Sequence, residues 1–173
     1  MATTTRLRAP THRVSRRSVR MWTLEGAMAA AVLLVLLCAG VWGLRFASWD
    51  WVPGWLLRNA WWLPVLYAAY SAVRVPLVPQ WRYRVHRWEI TADVVYTRTG
   101  WFSRKWQLVP VSRIQTVDHR QRWMERMFRV ATLEVQTASH AGSSTIEGLD
   151  ADEARRISEE LAARAAELRD DAT

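Results

Sequence analysis

The hydrophobic and polar residues of this chain follow three different patterns in succession. Residues 26–44 contain no charged side chain and are mostly Ala, Val and Leu. From about Tyr83 onward, apolar and polar residues alternate, as they do in half-buried β-strands. After Asp150, an apolar residue recurs every three or four positions, which indicates an amphipathic helix. The pattern therefore predicts an apolar helical segment, then a sheet, then a closing helix.

The first segment is long enough to cross a membrane, because about 20 apolar residues span the hydrocarbon core. A secretory signal peptide is the alternative, since it too begins with basic residues before an apolar run. However, the segment before residue 26 is long for a signal, and no A-x-A cleavage motif follows the apolar run. We therefore predict a transmembrane helix.

A second apolar segment covers residues 51–73, where Arg58 is the only charged residue. Arg58 is close enough to the start for its side chain to reach the membrane surface. We expect Pro64 to weaken or kink this helix and Pro76 and Pro79 to end it. A buried helix of a soluble domain is the alternative. The neighbouring first segment favours a transmembrane hairpin over residues 24–75, followed by a linker over residues 76–82.

Tryptophan is abundant in the same part of the chain. The sequence has 12 Trp but only 3 Phe, and most of the Trp residues precede position 82. Indole rings favour the headgroup depth of a bilayer, so we interpret the excess as a membrane belt. The predicted membrane-interface residues are Trp22, Trp49, Trp51, Trp55 and Trp81.

Charge sets the expected orientation. The net charge is +8, and Lys105 is the only Lys among the 24 basic residues. Residues 1–23 contain six Arg and no acid, and we expect them to form a disordered basic tail. Residues 74–88 are also rich in Arg, whereas the hairpin loop between the spans is balanced. The positive-inside rule then places both termini in the cytoplasm of a multi-pass cell-membrane protein. Nucleic acid is an unlikely partner of a tail held at the bilayer.

The remainder is expected to fold as one cytoplasmic domain over residues 83–169, with residues 170–173 disordered. Asp150 is a candidate N-cap for the last helix. One apolar stripe of that helix is formed by Ile157, Leu161, Ala165 and Leu168. The predicted strands cover residues 83–90, 94–98, 105–109, 114–119, 133–137 and 145–147. An antiparallel sheet with one amphipathic helix closing it is an α+β roll.

Three stretches of this domain resemble the bacterial pleckstrin-homology-like (PH-like) domain of small membrane proteins. They are the turn region at residues 90–104, the VPVSRIQ motif at residues 109–115 and the ATLEVQT motif at residues 131–137. The resemblance implies paired transmembrane helices before a strongly bent antiparallel sheet capped by a C-terminal helix, and no enzymatic activity. Arg129 stands where the family pattern has Gly, so a left-handed turn there would be strained.

The residues themselves give little support for catalysis. The four His have no metal-ligand spacing with a carboxylate or thiol, and Asp118 and His119 point to opposite faces of a strand. No phosphate-binding glycine loop occurs, and a single Cys excludes an internal disulfide. We therefore expect no enzyme, no cofactor and no bound metal.

Two basic and aromatic clusters are candidate binding surfaces. The first cluster lies on a predicted hairpin and comprises Arg98, Trp101, Phe102, Arg104 and Lys105. This hairpin could insert among anionic lipid headgroups, or its aromatic residues could instead belong to the core. The second reads as a short helix that either packs on the sheet or meets a partner; it comprises Arg120, Arg122, Trp123, Arg126, Met127 and Arg129.

The sequence thus favours a non-enzymatic adaptor or scaffold at the cytoplasmic membrane face. Its partners would be the lipid bilayer and a membrane or cytoplasmic protein, including a second copy of the chain, with no small-molecule substrate. The alternative function is a sensor of anionic lipid headgroups that uses the first cluster.

Overall fold

The computed structural model of the protein describes residues 10–46, 53–100, 105–138 and 142–170. Contacts divide the chain into two units. One unit is Trp22–Pro79, which is helical. The other combines residues up to Met21 with Gln80–Thr173, and it contains both sheets. The sheet unit is therefore discontinuous in sequence.

The helical unit contains most of a 31-residue helix, α1 (Arg16–Phe46). At 1.5 Å per residue, α1 is about 46 Å long, which exceeds the roughly 30 Å hydrocarbon core of a bilayer. Among the described helices, only α1 is both long and apolar enough to cross a membrane, and its most apolar stretch has no buried residue. A helix in a soluble core would bury those side chains against protein. The exposure of this surface favours lipid as its surroundings.

The second predicted span differs from the structure at both ends. A short helix, α2 (Gly54–Asn59), is followed by α3 (Trp62–Val85), so Arg58 lies outside the longer helix. Pro64 falls in the first turn of α3, where a backbone N–H has no intrahelical acceptor. The expected linker over residues 76–82 is helical instead.

Pro76 and Pro79 lie inside α3 without ending it. They are three residues apart, so the hydrogen bonds they remove are lost on one side of the helix. The helix closes only where His86 N donates to Arg82 O at 2.9 Å.

The expectation of a flexible tail does not hold for residues 10–23. Strand β1 (His12–Arg13) pairs with the next strand of the sheet, and the His12 ring stacks on Trp88 at 5.0 Å between centroids. Val14 and Ser18 are buried, and α1 already begins at Arg16. This segment folds because it uses an existing sheet edge, a partner that its own composition does not reveal. Residues 1–9 lie outside the described residues.

Within the described residues, seven strands form two antiparallel sheets, with orders β1-β2-β3-β4 and β5-β6-β7. The strands after β1 are β2 (Arg87–Ile90), β3 (Val94–Thr99), β4 (Lys105–Pro110), β5 (Ile114–Arg120), β6 (Val130–Thr137) and β7 (Ser144–Asp150). Most predicted strands are found within one to three residues of their expected bounds. The exception is the first, because Tyr83 belongs to α3 and β2 begins only at Arg87.

The last helix, α5 (Ala151–Asp170), packs on β5, β6 and the turn at Val111–Arg113. Asp150 caps it, since Asp150 Oδ1 accepts a hydrogen bond from Asp152 N at 3.3 Å. Ile157, Leu161 and Ala165 are buried as the stripe predicted, whereas Leu168 is 43% exposed. The α+β architecture is therefore confirmed. α5 includes Asp170, and residues 171–173 are outside the described part.

Strand β7 carries a bulge that binds the start of α1. The β6–β7 register shifts between Ala131 and Thr132, and Gly148 adopts φ 80°. Its carbonyl accepts hydrogen bonds from Ser15 N at 2.8 Å and Ser18 Oγ at 2.7 Å. Beside it, Arg17 pairs with Asp150 at 3.0 Å. The extra residue thus turns a backbone acceptor out of the sheet ladder and toward the helix.

A short helix, α4 (Trp123–Phe128), joins β5 to β6 and ends at Arg129. Arg129 has φ 53° and ψ 42°, the left-handed conformation that glycine adopts with least strain. Its N–H donates to Arg126 O at 3.1 Å, and its own carbonyl accepts from Ala151 N at 3.1 Å. The strain expected from the sequence at this position is therefore present.

Replacing this residue should stabilise the protein. We expect Arg129→Gly to raise the free energy of unfolding by about 1 kcal/mol, because the left-handed backbone no longer carries a Cβ. The measurement is the unfolding midpoint of the full chain in mild detergent. Arg126→Gly is the matched control: it places the same residue in a right-handed turn of α4 and should lower the midpoint. A lower midpoint for Arg129→Gly would contradict this account.

Candidate functional site

Helix α4 is held on the sheet by a buried carboxylate. Glu125 is only 6% exposed. Its Oε1 accepts a hydrogen bond from Thr132 Oγ1 at 2.7 Å, and its Oε2 accepts one from Arg122 N at 2.6 Å. A buried carboxylate is tolerated when its oxygens are satisfied in this way. The two bonds join the start of α4 to β6 and fix which side of the helix faces the core.

The opposite side of α4 exposes large apolar groups. Met124 and Glu125 are both buried and form the side of α4 that faces the sheet. Trp123 is 63% exposed and Met127 is 58% exposed. They are four residues apart and therefore share one face of the helix. The sequence left open whether they pack on the sheet or face outward, and the structure exposes both.

Arginine side chains surround this pair. Arg122, Arg126 and Arg129 are exposed, whereas Arg120 pairs with Glu134 at 3.3 Å. We use the name α4 face for Trp123, Met127, Arg122, Arg126 and Arg129. The structure brings these five predicted residues together on one surface, while Arg120 is engaged on the neighbouring strand.

The other predicted cluster is only partly described. Trp101, Phe102 and Arg104 lie outside the described residues. Arg98 Nε donates to Val85 O at 3.4 Å, and its guanidinium lies over the Trp106 ring at 5.6 Å. Lys105 is exposed. Arg98 is therefore engaged with its own domain.

The predicted membrane-interface residues differ in exposure. Trp55 is 60% exposed and Trp81 is 50% exposed, which is compatible with a belt. Trp22 is only 7% exposed, so it is covered by protein and does not present its ring to lipid. Trp49 and Trp51 lie outside the described residues. The belt itself stays a prediction.

Sequence reasoning missed a polar cleft in the sheet unit. Arg82 forms an ion pair with Glu147, and His86 Nδ1 lies 2.9 Å from Arg82 O. Because a carbonyl oxygen only accepts, Nδ1 carries the proton in this hydrogen bond. Burial, and after it the positive charge of Arg82, lower the pKa of His86. Arg82 and His86 are four residues apart, a spacing that places both on one side of a helix. The prediction of a strand over residues 83–90 hid this relation.

The described residues contain no group of three or more His, Cys, Asp or Glu that could hold a metal ion. The cleft therefore offers hydrogen-bonding and charged groups, and the α4 face offers an apolar surface bordered by cations. Both are candidate binding surfaces.

Two antiparallel sheets closed by a C-terminal helix, together with a long exposed apolar helix, are the architecture expected of a PH-type domain that follows a candidate membrane segment. The chain belongs to the bacterial PH domain family, whose model matches residues 20–165. It is similar to the UPF0699 transmembrane protein YdbS of Bacillus subtilis (strain 168), with 29% identity over 163 residues that cover 94% of this chain and 96% of that protein. No solved structure matches the chain. The resemblance recognised in the sequence is confirmed.

The matched range starts inside α1 and ends inside α5. The family pattern therefore includes the helices as well as the sheets. This relative is named a transmembrane protein, which agrees with the exposed apolar surface of α1.

Removing the carboxylate of Glu125 should loosen α4. We expect Glu125→Ala to lower the free energy of unfolding by about 2 kcal/mol, because Thr132 Oγ1 and Arg122 N lose their acceptor. Hydrogen–deuterium exchange of the full chain should become faster in α4. Glu160→Ala is the control, since it removes an exposed helical carboxylate paired with Arg164 and should change stability by less than about 0.5 kcal/mol. Equal effects of the two substitutions would refute the anchoring role.

Proposed function

We propose that the protein is a membrane-anchored, non-enzymatic adaptor that binds a protein partner through the α4 face. The observation that carries the proposal is the exposure of Trp123 and Met127 on a helix whose other side is fixed to the sheet. Membership in the bacterial PH domain family supports a binding role.

The composition of the α4 face suits a protein interface. Trp, Met and Arg are enriched in the central parts of such interfaces, and Trp and Arg often contribute most of the binding energy. Because Glu125 already fixes the helix, little backbone order has to be gained when a partner binds. A surface of this kind can be small and still bind specifically.

The charges on this face indicate the chemistry of the partner. Among the ion pairs of the described residues, none involves Arg122, Arg126 or Arg129. A partner segment would complement these Arg side chains with carboxylates and would contact Trp123 with an apolar side chain. We therefore propose an acidic, partly apolar segment of a membrane or cytoplasmic protein.

The proposal includes the membrane topology. Helix α1 would cross the bilayer, and the apolar segment of residues 51–73, which includes only the first half of α3, would return across it, with the two termini and the sheet unit in the cytoplasm. The exposed apolar residues of α3 support this reading; they include Leu63, Leu66, Val73 and Leu77. The orientation rests on the Arg content of residues 1–23 and 74–88, which lie before and after the two apolar segments.

Binding of anionic lipid by the first cluster is not favoured. Arg98 is occupied by Val85 O and the Trp106 ring, which leaves Lys105 as the exposed cation among the described members. A single exposed cation contributes about 1 kcal/mol to membrane attachment.

Site-specific photocrosslinking tests the adaptor role. A photoreactive amino acid in place of Trp123, in the full-length protein in its own membrane, should form a discrete protein adduct. The matched control is the same substitution at Arg156, which is exposed on α5 and should give none. Adding Arg122→Glu and Arg126→Glu should reduce the Trp123 adduct about tenfold or more, because opposite charge is replaced by like charge.

The crosslinking outcomes separate the hypotheses. An adduct with a second copy of the chain or with another protein, lost in the charge-reversed variant, agrees with the proposal. Adducts with lipid alone, or equal protein adducts at Trp123 and Arg156, would overturn it.

Cysteine labelling tests the topology separately. After Cys38→Ser, the variant Ser48→Cys should react with a membrane-impermeant maleimide added to intact cells, because residue 48 lies in the proposed external loop. Ala166→Cys, exposed on α5, should react only after permeabilisation. The reverse pattern would show that the orientation is opposite.

A further inference from the structure

The apolar stripe of α5 is covered for only part of its length. Ile157, Leu161 and Ala165 are buried, but Leu168, the last residue of the stripe, is 43% exposed. These positions lie on one side of the helix, so α5 extends past the surface that covers the first three. Leu168 is therefore an apolar side chain that a partner can bury.

Acidic residues accompany this exposed leucine. Residues 159–173 contain five acids and two Arg, a net charge of −3. Glu160 pairs with Arg164 at 2.6 Å. Glu167 is exposed next to Leu168 and takes part in none of the ion pairs of the described residues. We use the name α5 end for residues 159–168, which form an acidic, partly apolar segment.

The chemistry of the α5 end is complementary to that of the α4 face. The α4 face presents Trp123 and Met127 among three Arg side chains. The α5 end offers Leu168 to the apolar pair and the Glu167 carboxylate to the Arg side chains. Complementary charge around a small apolar contact selects the partner and its orientation.

A single copy of the chain keeps the two surfaces apart. Ala151 N donates to Arg129 O at 3.1 Å, so α5 starts beside the end of α4. Leu168 lies 17 residues after Ala151, which is about 26 Å along the helix at 1.5 Å per residue. Helix α4 has six residues and is only about 9 Å long. The exposure of both surfaces agrees with this separation.

We propose that the α4 face binds the α5 end of a second copy of the chain. Leu168 of one copy packs against Trp123 and Met127 of the other, and Glu167 pairs with Arg126. This inference rests on the adaptor function proposed above, because it uses the same surface and names its partner.

The two surfaces differ, so every copy offers one of each. The contact can be made twice in a two-fold dimer or once with each neighbour in a ring. It involves few residues, and interfaces of this size are weak between soluble proteins. Attachment to one membrane raises the effective concentration of the copies, which makes a weak contact sufficient.

Crosslinking between two tagged copies tests the contact. One full-length copy carries a photoreactive amino acid in place of Trp123, and the other carries a different affinity tag and no photoreactive group. After irradiation of membranes that contain both copies, we expect an adduct with both tags. Trypsin cleaves after Arg164 and Arg169, so mass spectrometry should locate the crosslink in the peptide of residues 165–169, which contains Leu168.

An exchange of charges separates a direct contact from a general disturbance. Arg126→Glu in the photoreactive copy should reduce the two-tag adduct about fivefold, because it places a carboxylate opposite Glu167. Glu167→Arg in the other copy should restore the adduct, since opposite charges then face each other again. Asp93→Arg is the matched control: it reverses a charge that is exposed in the turn between β2 and β3 and should restore nothing.

The outcomes distinguish this inference from the adaptor function. Adducts with a different protein, without a two-tag product, would overturn the inference and leave the adaptor function standing. The absence of any protein adduct would overturn both. A two-tag adduct that maps outside the α5 end would overturn the inference alone. So would an adduct that Glu167→Arg restores no better than Asp93→Arg.

Discussion

The carbonyl of Gly148 is the contact on which the arrangement of the sheet unit depends. A regular β7 would direct that oxygen along the sheet ladder, but the bulge and the left-handed φ of Gly148 turn it toward Ser15 and Ser18. The first turn of α1 is thereby attached to β7. One residue earlier, Glu147 pairs with Arg82 in the last turn of α3. One short stretch of strand therefore holds the end of each long helix that belongs to this unit.

The same strand also forms a wall of the polar cleft, since Thr145 and Glu147 line it. The carboxylate of Glu147 therefore both lines the cleft and holds α3 through Arg82. The α4 face, anchored through β6 by Glu125, is built on a separate contact.

Much of the fold could be predicted from the sequence because its signals are local. The charge-free run at residues 26–44, the alternation in β3 to β7 and the Asp150 cap each depend on neighbouring residues. The bounds of α3 could not be predicted in this way. Proline normally ends a helix, yet the ion pair of Arg82 with Glu147, 65 residues away in sequence, holds the last turn of α3 beyond Pro76 and Pro79. The cleft was missed for the same reason.

The α4 face was predicted in composition but not in exposure. Spacing alone allowed Trp123 and Met127 to face the core or the solvent. The buried hydrogen bond between Glu125 and Thr132, seven residues later, determines which side of α4 faces the core. The spacing of apolar residues in the sequence does not predict this bond. The left-handed backbone at Arg129 was foreseen only through the family pattern, because a charged residue there carries no conformational signal of its own.

The discontinuity of the sheet unit has a consequence for how the chain is made. The hydroxyl of Ser18 and its acceptor at Gly148 are 130 residues apart in sequence. A ribosome therefore releases the first helix long before it synthesises the strand that receives it, and the N-terminal segment waits without its partner through most of translation. Contacts at such separation form late and slowly. On this order of events, the attachment of α1 to β7 is among the last steps in the folding of the sheet unit.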